Sequence, residues 1–172
     1  MENYAEQLIQ LGQERKSIIC IGLDPEIEKI PLQGKLEDVI FTFYQNILQA
    51  MVDENVKPTI VKPNYAFYFQ HGFEGLRALH KIIEFCHEQD IPVILDIKVG
   101  DIKKTAEAYA RGIFNWLNAD AVTVNTYMGR DVLEPFFQYC KKGKGVYSLL
   151  KTSNPSSGDV QDLELREGRR VY

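Results

Sequence analysis

Short apolar segments alternate with amphipathic segments along this 172-residue chain, and this alternation limits the possible folds more than any other feature. Apolar runs with the length of buried strands cover residues 17–23, 59–62, 91–98, 121–125 and 146–150. Apolar residues at three- and four-residue spacing predict helices at 3–15, 36–51, 76–86, 109–117 and 133–140. Thr105 or Asp101 could cap the helix that contains 109–117. Strands that alternate with helices predict an α/β fold with a parallel sheet and right-handed crossovers.

Two architectures satisfy this alternation, a closed (β/α)8 barrel and an open doubly wound sheet. An open sheet usually carries a glycine-rich phosphate loop after its first strand, but this chain has Gly22-Leu23-Asp24-Pro25 there. Polar side chains follow the predicted strands instead, namely Asp24, Lys62, Asp96 with Lys98, Asn125 and Ser153. Because a barrel gathers functional groups from the ends of many strands at one face, the sequence favours a (β/α)8 TIM barrel.

The length of the chain conflicts with a complete barrel, which typically needs about 250 residues. Five strand–helix units and a leading helix account for most of the 172 residues, and the last segment, 159–172, is polar and has no strand pattern. We therefore expect a single, incomplete TIM-barrel domain over residues 1–172 that contains about the first five βα units. We expect strands six to eight of such a barrel to be missing from these residues.

Composition and charge exclude several classes of function. The net charge of −4 gives no reason to expect binding to nucleic acid or to an anionic membrane surface. No apolar run approaches the roughly 20 residues of a membrane helix. The first six residues lack the basic start and apolar core of a signal peptide. We therefore expect a cytoplasmic protein that binds neither nucleic acid nor membrane.

Neither the cysteines nor the histidines suggest a cross-link or a metal site. The cysteines are odd in number, far apart and set in apolar surroundings, so we expect buried free thiols at Cys20, Cys86 and Cys140. The histidines include no pair at the i, i+4 spacing. Because a zinc site needs ligands that converge, no metal site is expected.

Charged residues interrupt the end of the third predicted strand. Asp96 and Lys98 lie two residues apart, and residues at i and i+2 of a strand share a face. Lys62 ends the preceding strand and Asp101 follows closely, so two lysines and two aspartates are expected near the barrel mouth. They could form an internal ion-pair network that only holds the barrel together, or a functional site. Buried charges contribute little stability, which favours the functional site.

These residues also occur in motifs that resemble a known family. Asp96-x-Lys98-x-x-Asp101, Gly22-Leu23-Asp24-Pro25 and Val61-Lys62-Pro63-Asn64 together resemble orotidine 5′-phosphate decarboxylase, in its longer bacterial branch. The resemblance covers nearly all of the chain. The Asp-x-Lys-x-x-Asp pattern alone is shared with related sugar-phosphate decarboxylases and synthases, in which the second strand is expected to offer an acidic metal ligand. Lys62 stands at that position here, which favours orotidylate as the substrate.

The resemblance implies a role for each of several residues. Lys62, Asp96 and Lys98 would form a charged row in one active site, and Asp101 would complete the site of a neighbouring subunit in an obligate homodimer. Ile102 and Thr105 would line that same partner site. Asp24 would bind the ribose hydroxyls and Ser153 the pyrimidine ring. Asn125 is a weaker candidate for substrate binding, on its strand position only.

The implied reaction, decarboxylation of orotidine 5′-phosphate to uridine 5′-phosphate, leaves a carbanion at C6 of the ring. No pyridoxal or thiamine motif is evident in the sequence, so we expect no cofactor and a site that acts through electrostatics, with Lys98 as proton donor. Three alternatives stay open. The chain could be a sugar-phosphate decarboxylase or synthase of the same superfamily, an inactive truncated barrel, or a non-catalytic binding protein.

Overall fold

The structure is a computed structural model, and it describes residues 3–172. Within this range the strands are β1 (Cys20–Gly22), β2 (Ile60–Lys62), β3 (Ile94–Val99), β4 (Ala121–Val124) and β5 (Gly145–Ser148). The helices are α1 (Tyr4–Arg15), α2 (Leu36–Asp53), α3 (Tyr65–Phe69), α4 (Gly72–Glu88), α5 (Lys103–Arg111), α6 (Glu134–Cys140) and α7 (Gly158–Gln161). Short 3-10 turns occupy Ile27–Lys29 and Pro155–Ser157, and a π-helical turn, Gly112–Trp116, extends α5.

The strands run parallel, and their order in space follows their order in the chain. β1 pairs with β2, while β4 lies between β3 and β5. Two single-residue parallel bridges, Val61 to Val93 and Asn64 to Asp96, join β2 to β3. A doubly wound sheet reverses its strand order at a switch point, whereas a barrel adds each strand beside the previous one. The unbroken order from β1 to β5 is therefore an arc of a (β/α)8 barrel, as predicted.

The two faces of the arc bury different apolar side chains. On the outer face, Val93 and Leu95 pack in one large cluster with the apolar sides of α2 and α4. On the inner face, Ile94 of β3 packs with Ile60 of β2 and Ala121 of β4. The predicted alternation along β3 is thus confirmed, and it fixes which β3 side chains point into the barrel.

Helix α1 covers the end of the arc at which the strands begin. Its first turn is held by a capping box, in which the Asn3 side chain accepts from the helix backbone and the Glu6 side chain accepts from the Asn3 N–H. Tyr4 and Leu8 pack onto the inner apolar cluster. The Tyr4 hydroxyl lies 3.2 Å from the hydroxyl of Tyr147 on β5. The amino ends of the strands are therefore the closed end of the arc.

The aromatic residues after β2 form α3, which packs between the loop after β1 and α4. The Asn64 side chain caps α3 by accepting a hydrogen bond from the backbone of its first turn. Tyr68 is fully buried, and its hydroxyl donates a hydrogen bond of 2.7 Å to the carbonyl oxygen of Leu23. Gly75 of α4 lies so close to Tyr68 that a Cβ atom at this position would overlap the Tyr68 carbonyl group. A glycine is therefore required where α4 crosses α3.

The first strand is shorter and more exposed than predicted. β1 begins at Cys20 rather than at residue 17, and Ile18 and Ile19 are 95% and 53% exposed. Within residues 3–172, β1 pairs only with β2 and β5 only with β4, so each of these strands has one free edge. A parallel strand is buried on both faces only where other elements cover it. The prediction of a buried strand over 17–23 was therefore wrong at its first residues.

The start of α5 also differs from the prediction, which placed its cap at Thr105 or Asp101. The N-cap residue is Ile102, and no side chain caps the helix there. Thr105 lies inside the helix, and the Asp101 carboxylate accepts a hydrogen bond of 2.7 Å from the N–H of Ile102, one residue before the helical turn. The Asp101 carboxylate thus holds the loop that precedes α5 and does not cap the N–H groups in the first turn of the helix.

The cysteines are free thiols, as predicted, but only one of them is buried. Burial raises the pKa of the Cys86 thiol in α4 to about 12. Cys20 and Cys140 are exposed, which contradicts the prediction. Cys20 begins β1 at the free edge of the arc, and Cys140 is the last residue of α6. Both cysteines have apolar neighbours in the sequence, but no helix or strand within residues 3–172 buries them.

Candidate active site

Three charged side chains meet near the carboxyl ends of β2 and β3, and we refer to Lys62, Asp96 and Lys98 as the charged row. Nζ of Lys62 donates a hydrogen bond of 2.9 Å to Oδ2 of Asp96, and Nζ of Lys98 donates one of 2.6 Å to Oδ1. The Asp96 side chain is 8% exposed, whereas Lys62 and Lys98 are 34% and 47% exposed. The structure therefore brings together the three residues that strand spacing predicts to meet, at the open end of the arc.

Lys98 reaches Asp96 because β3 is irregular at this point. The φ angle of Lys98 is +50°, in the left-handed region, which costs a non-glycine residue about 1–3 kcal/mol. The ladder with β4 is interrupted between Leu95 and Val99, and three residues of β3 there face the single residue Thr123 of β4. Such a bulge bends the strand and redirects a side chain. It turns the Lys98 ammonium back over the carboxylate.

The Thr123 hydroxyl fills the interruption in the ladder. It accepts hydrogen bonds from the backbone N–H groups of Ile97, at 3.0 Å, and Lys98, at 2.9 Å, and it donates one of 2.9 Å to Oδ1 of Asp96. Thr123 was not predicted as a site residue. One signal could have found it. Ala121 of β4 faces into the barrel, and side chains two residues apart on a strand share a face. Thr123 is therefore also expected to face inward, beside the predicted position of Asp96.

Asp96 and Lys62 of the charged row are ionised at neutral pH. Burial alone would raise the pKa of Asp96, but the hydrogen bonds from Lys98, Lys62 and Thr123 outweigh burial and hold that pKa below its ordinary value. Burial acts to lower the pKa of Lys62, but the hydrogen bond and charge of Asp96, with a smaller effect of Asp24, raise it above its ordinary value. The site therefore presents a carboxylate held between two amino groups.

Asp24, the predicted ribose-binding residue, lies beside the charged row. Its Oδ1 atom accepts a hydrogen bond of 3.1 Å from the N–H of Asn64, two residues after Lys62. Asn64 itself forms the parallel bridge to Asp96. The loop after β1 is thereby fastened to the carboxyl ends of β2 and β3. No hydrogen bond found within residues 3–172 uses the second Asp24 oxygen.

The remaining predicted residues are not joined to the charged row by any hydrogen bond found within residues 3–172. Asp101 bonds to the Ile102 N–H, and Ile102 and Thr105 are exposed. The side chain of Asn125 accepts a hydrogen bond of 2.9 Å from the N–H of Tyr127, which folds the loop after β4. Ser153 is exposed on the segment after β5. Their predicted roles in substrate binding stay predictions.

An apolar groove runs along the outside of the site, between α3 and the extended α5. Four aromatic side chains line it, and we call these the aromatic face: Tyr65, Phe69, Tyr109 and Trp116. Phe69 and Trp116 are each 59% exposed. Ile102, at the start of α5, is 53% exposed. Clustered exposed apolar side chains of this kind are typical of an interaction surface.

The parallel strand order and the charged row at the carboxyl ends of the strands define the class of protein, a TIM-barrel protein whose candidate site lies where barrel enzymes carry theirs. The particular family follows from comparison with known sequences. Residues 17–171 match the model of the orotidine 5′-phosphate decarboxylase / HUMPS family. The chain belongs to this family.

Individual relatives agree with this assignment. The chain is 43% identical over 171 residues to a protein from Roseiflexus castenholzii named orotidine 5′-phosphate decarboxylase, covering 99% of the chain and 60% of that protein. It is 40% identical over 166 residues to one of the same name from Clostridium tetani, covering 92% of the chain and 57% of that protein. The solved structure of Leishmania donovani OMP decarboxylase superposes with a TM-score of 0.82 at 35% identity, covering 99% of the chain and 62% of that structure.

The chain thus spans about 60% of the length of the relatives that it matches. This share agrees with the presence of five of eight barrel units. Residues 3–172 contain no group of three or more His, Cys, Asp or Glu side chains arranged to hold a metal ion. Within the same range, no helix has both the length and the apolar character of a membrane-spanning segment.

Proposed function

We propose that this protein decarboxylates orotidine 5′-phosphate to uridine 5′-phosphate, a step of de novo pyrimidine synthesis. The observation that carries the proposal is the charged row, in which Asp96 accepts hydrogen bonds from Lys62 and Lys98 at the open end of a barrel arc. Membership of the orotidine 5′-phosphate decarboxylase / HUMPS family supports it. A lysine on β2 also supports it, because the related metal-dependent enzymes are expected to use an acidic residue there.

The reaction breaks the bond between C6 of the pyrimidine ring and its carboxylate, and the electron pair of that bond stays on C6 as carbon dioxide leaves. Lys98, as an ammonium ion, stabilises the charge that develops at C6 and then transfers its proton there as a general acid. The neutral amine regains a proton from water. Asp96 crowds the departing carboxylate and is itself kept ionised by its hydrogen bonds. The chemistry needs no cofactor.

Substrate binding would use residues around the charged row. The free oxygen of Asp24 suits the ribose hydroxyls, because its other oxygen already accepts from Asn64. Ser153 would hydrogen-bond the pyrimidine ring, and Asn125 would line the site from the loop after β4. The phosphate of a barrel substrate is frequently held by the loops after strands seven and eight. Binding energy from these remote groups would be used at the transition state.

The active enzyme would be a homodimer with shared sites. Asp101, Ile102 and Thr105 would act in the site of the partner subunit, as the family resemblance implies. The aromatic face lies next to these residues and offers exposed apolar surface for a second copy of the chain. We further propose one incomplete barrel domain over residues 1–172, and a cytoplasmic location.

The test is an ultraviolet assay of orotidylate loss, run with the dialysed 172-residue chain in the presence of a chelator. Loss of the orotidylate absorbance together with formation of uridylate is the expected result. Because the chain spans about 60% of its relatives, calorimetric binding of a 6-substituted uridylate is measured in parallel. The absence of both turnover and binding would contradict the proposal. Magnesium-dependent turnover of a sugar phosphate would assign the chain to the other enzymes of the superfamily.

A further inference from the structure

The bulge in β3 lacks the backbone partners that would normally hold it. Between the pairs at Leu95 and Val99, three residues of β3 face one residue of β4, so the regular ladder cannot satisfy every N–H group there. The N–H groups of Ile97 and Lys98 both donate to a side chain, the Thr123 hydroxyl, instead of to a carbonyl oxygen of β4. One side chain therefore replaces the missing part of the ladder.

The Thr123 hydroxyl is used to its full capacity. A hydroxyl has one proton to donate and two lone pairs that accept. Here both lone pairs accept from β3, and the proton is donated over 2.9 Å to Oδ1 of Asp96. The same Oδ1 atom accepts from the Lys98 ammonium. Thr123 thus bonds to the backbone N–H of Lys98 and also to the Asp96 carboxylate, which accepts a hydrogen bond from the Lys98 side chain.

We propose that Thr123 is the positioning residue of the charged row, because its hydroxyl holds β3 in the bulged form that folds Lys98 back over Asp96. The geometric part of this inference stands on the hydrogen bonds alone. The catalytic part rests on the proposed function, because the position of Lys98 matters for catalysis only if Lys98 donates a proton to the substrate. Thr123 itself touches no reacting atom in this account.

Three substitutions separate the hydroxyl from the volume of the side chain. Thr123→Val keeps the shape and removes the hydroxyl, which leaves two N–H groups and one carboxylate oxygen without their partner. Thr123→Ser keeps the hydroxyl. Thr123→Ala removes it without placing a second methyl group against Asp96. The matched control is Thr59→Val, because the buried Thr59 hydroxyl donates to the Ser17 carbonyl oxygen, far from the bulge.

The first measurement is NMR of the full chain without nucleotide, following amide hydrogen exchange at Ile97 and Lys98 and the pH titration of the Asp96 carboxyl carbon. For Thr123→Val we expect exchange at both amides to accelerate by about tenfold or more and the pKa of Asp96 to rise. Thr123→Ser and Thr59→Val should leave both observables near their native values. Native protection of both amides in a folded Thr123→Val protein would overturn the proposal. If that variant does not fold, Thr123→Ala decides by the same criteria.

The second measurement is steady-state decarboxylation of orotidylate. A misplaced general acid should lower kcat for Thr123→Val by about 10²-fold with little change in KM, and Thr123→Ser should restore most of the loss. An unchanged kcat would overturn the catalytic part. A native chain that neither binds nor decarboxylates the nucleotide refutes the proposed function, and the NMR result then still decides whether Thr123 positions the row.

Discussion

Nζ of Lys98 donates a hydrogen bond of 2.6 Å to Oδ1 of Asp96, although only one residue separates the two on β3. In a regular strand, side chains at i and i+2 stand side by side and do not turn toward each other. The left-handed backbone at Lys98 makes the contact possible. A single strand therefore supplies both the carboxylate and the amino group that the proposed chemistry needs.

Lys98→Ala should remove decarboxylation and leave the fold intact. A positioned general acid contributes about 10²–10⁴-fold to a rate, so we expect a loss of at least that size in the orotidylate assay. The Lys98 side chain is 47% exposed and Asp96 keeps its bond to Lys62, so the far-ultraviolet spectrum should not change. The exposed Lys104→Ala, on α5, is the control of equal charge. Activity retained by the Lys98 variant would remove its role as proton donor.

Mixing two inactive variants tests whether sites are shared between subunits. Each proposed shared site takes Lys98 from one subunit and Asp101 from the other. A hybrid dimer of one Lys98→Ala subunit and one Asp101→Ala subunit therefore has one site with both defects and one intact site. An equal mixture that exchanges freely contains half hybrids, which predicts about a quarter of the native activity. Lys98→Ala mixed with Lys62→Ala is the control, because both residues belong to one subunit's row and no intact site can form. Equal recovery in both mixtures, or in neither, contradicts shared sites.

Stability should fall in acid because two aspartates titrate, the buried Asp96 and the half-buried Asp120. Asp120 accepts a hydrogen bond of 2.9 Å from the Val93 N–H, and lies 2.9 Å from Nε2 of His87 and 3.3 Å from Nζ of Lys144. Burial acts to raise the pKa of Asp120, but these partners hold that pKa below its ordinary value. Lys98, Lys62 and Thr123 do the same for the pKa of Asp96. Carboxylates whose pKa is lower in the folded state stabilise the fold in their ionised form.

This contribution is complete above the unfolded-state pKa of an aspartate, about 3.9, and is lost as the pH falls through the lower folded-state pKa values. Urea unfolding should therefore give an unfolding free energy that rises with pH between about pH 2 and pH 5, with little change from these groups above about pH 5. Asp120→Asn should flatten the dependence and cost about 1–3 kcal/mol at neutral pH, whereas the exposed Asp159→Asn should change stability by no more than about 0.5 kcal/mol. A pH dependence that Asp120→Asn does not alter would contradict the assignment.

Gly75→Ala should be destabilising, since its Cβ would overlap the Tyr68 carbonyl group and force α3 and α4 apart. Overpacking of this kind costs about 1–3 kcal/mol, occasionally more. Gly112→Ala is the matched control, because a Cβ there meets no atom within 4 Å and its backbone is helical, so a gain of up to about 1 kcal/mol is expected. Thermal unfolding of the two variants should shift in opposite directions.

Strand spacing was sufficient to predict that Lys62, Asp96 and Lys98 lie near one another at the barrel mouth, but not the contact between Lys98 and Asp96. Residues two apart share a face, and consecutive strands of a barrel are neighbours, so the position of each residue along its strand fixes which side chains are near one another. The bulge could not be predicted in this way, because a period of two presupposes a regular strand. A glycine would have marked the left-handed position, but a lysine occupies it. Alternation from Ala121 places Thr123 beside Asp96, but its hydrogen bonds to the β3 backbone depend on the bulge and could not be predicted.

The exposed residues illustrate a different limit. Ile18 and Ile19 have the composition of a buried strand, but hydrophobicity states what a side chain prefers and not whether another element is there to cover it. Asp101 likewise has a residue type that favours helix caps, yet it bonds to the N–H of its own neighbour, one position too early. Both outcomes depend on packing that a local pattern does not contain.

Within residues 3–172, Lys62 and Lys98 of the charged row are 34% and 47% exposed, so one flank of the row faces bulk water. Two unit charges 4 Å apart interact by about 1 kcal/mol in water and about 4 kcal/mol at the effective dielectric constant of a protein surface. The same lysines and aspartate would therefore act several times more strongly on a bound ring once a wall of polypeptide excluded solvent from that flank. For the proposed reaction, such a wall would matter as much as the Lys98 ammonium that is proposed to deliver the proton.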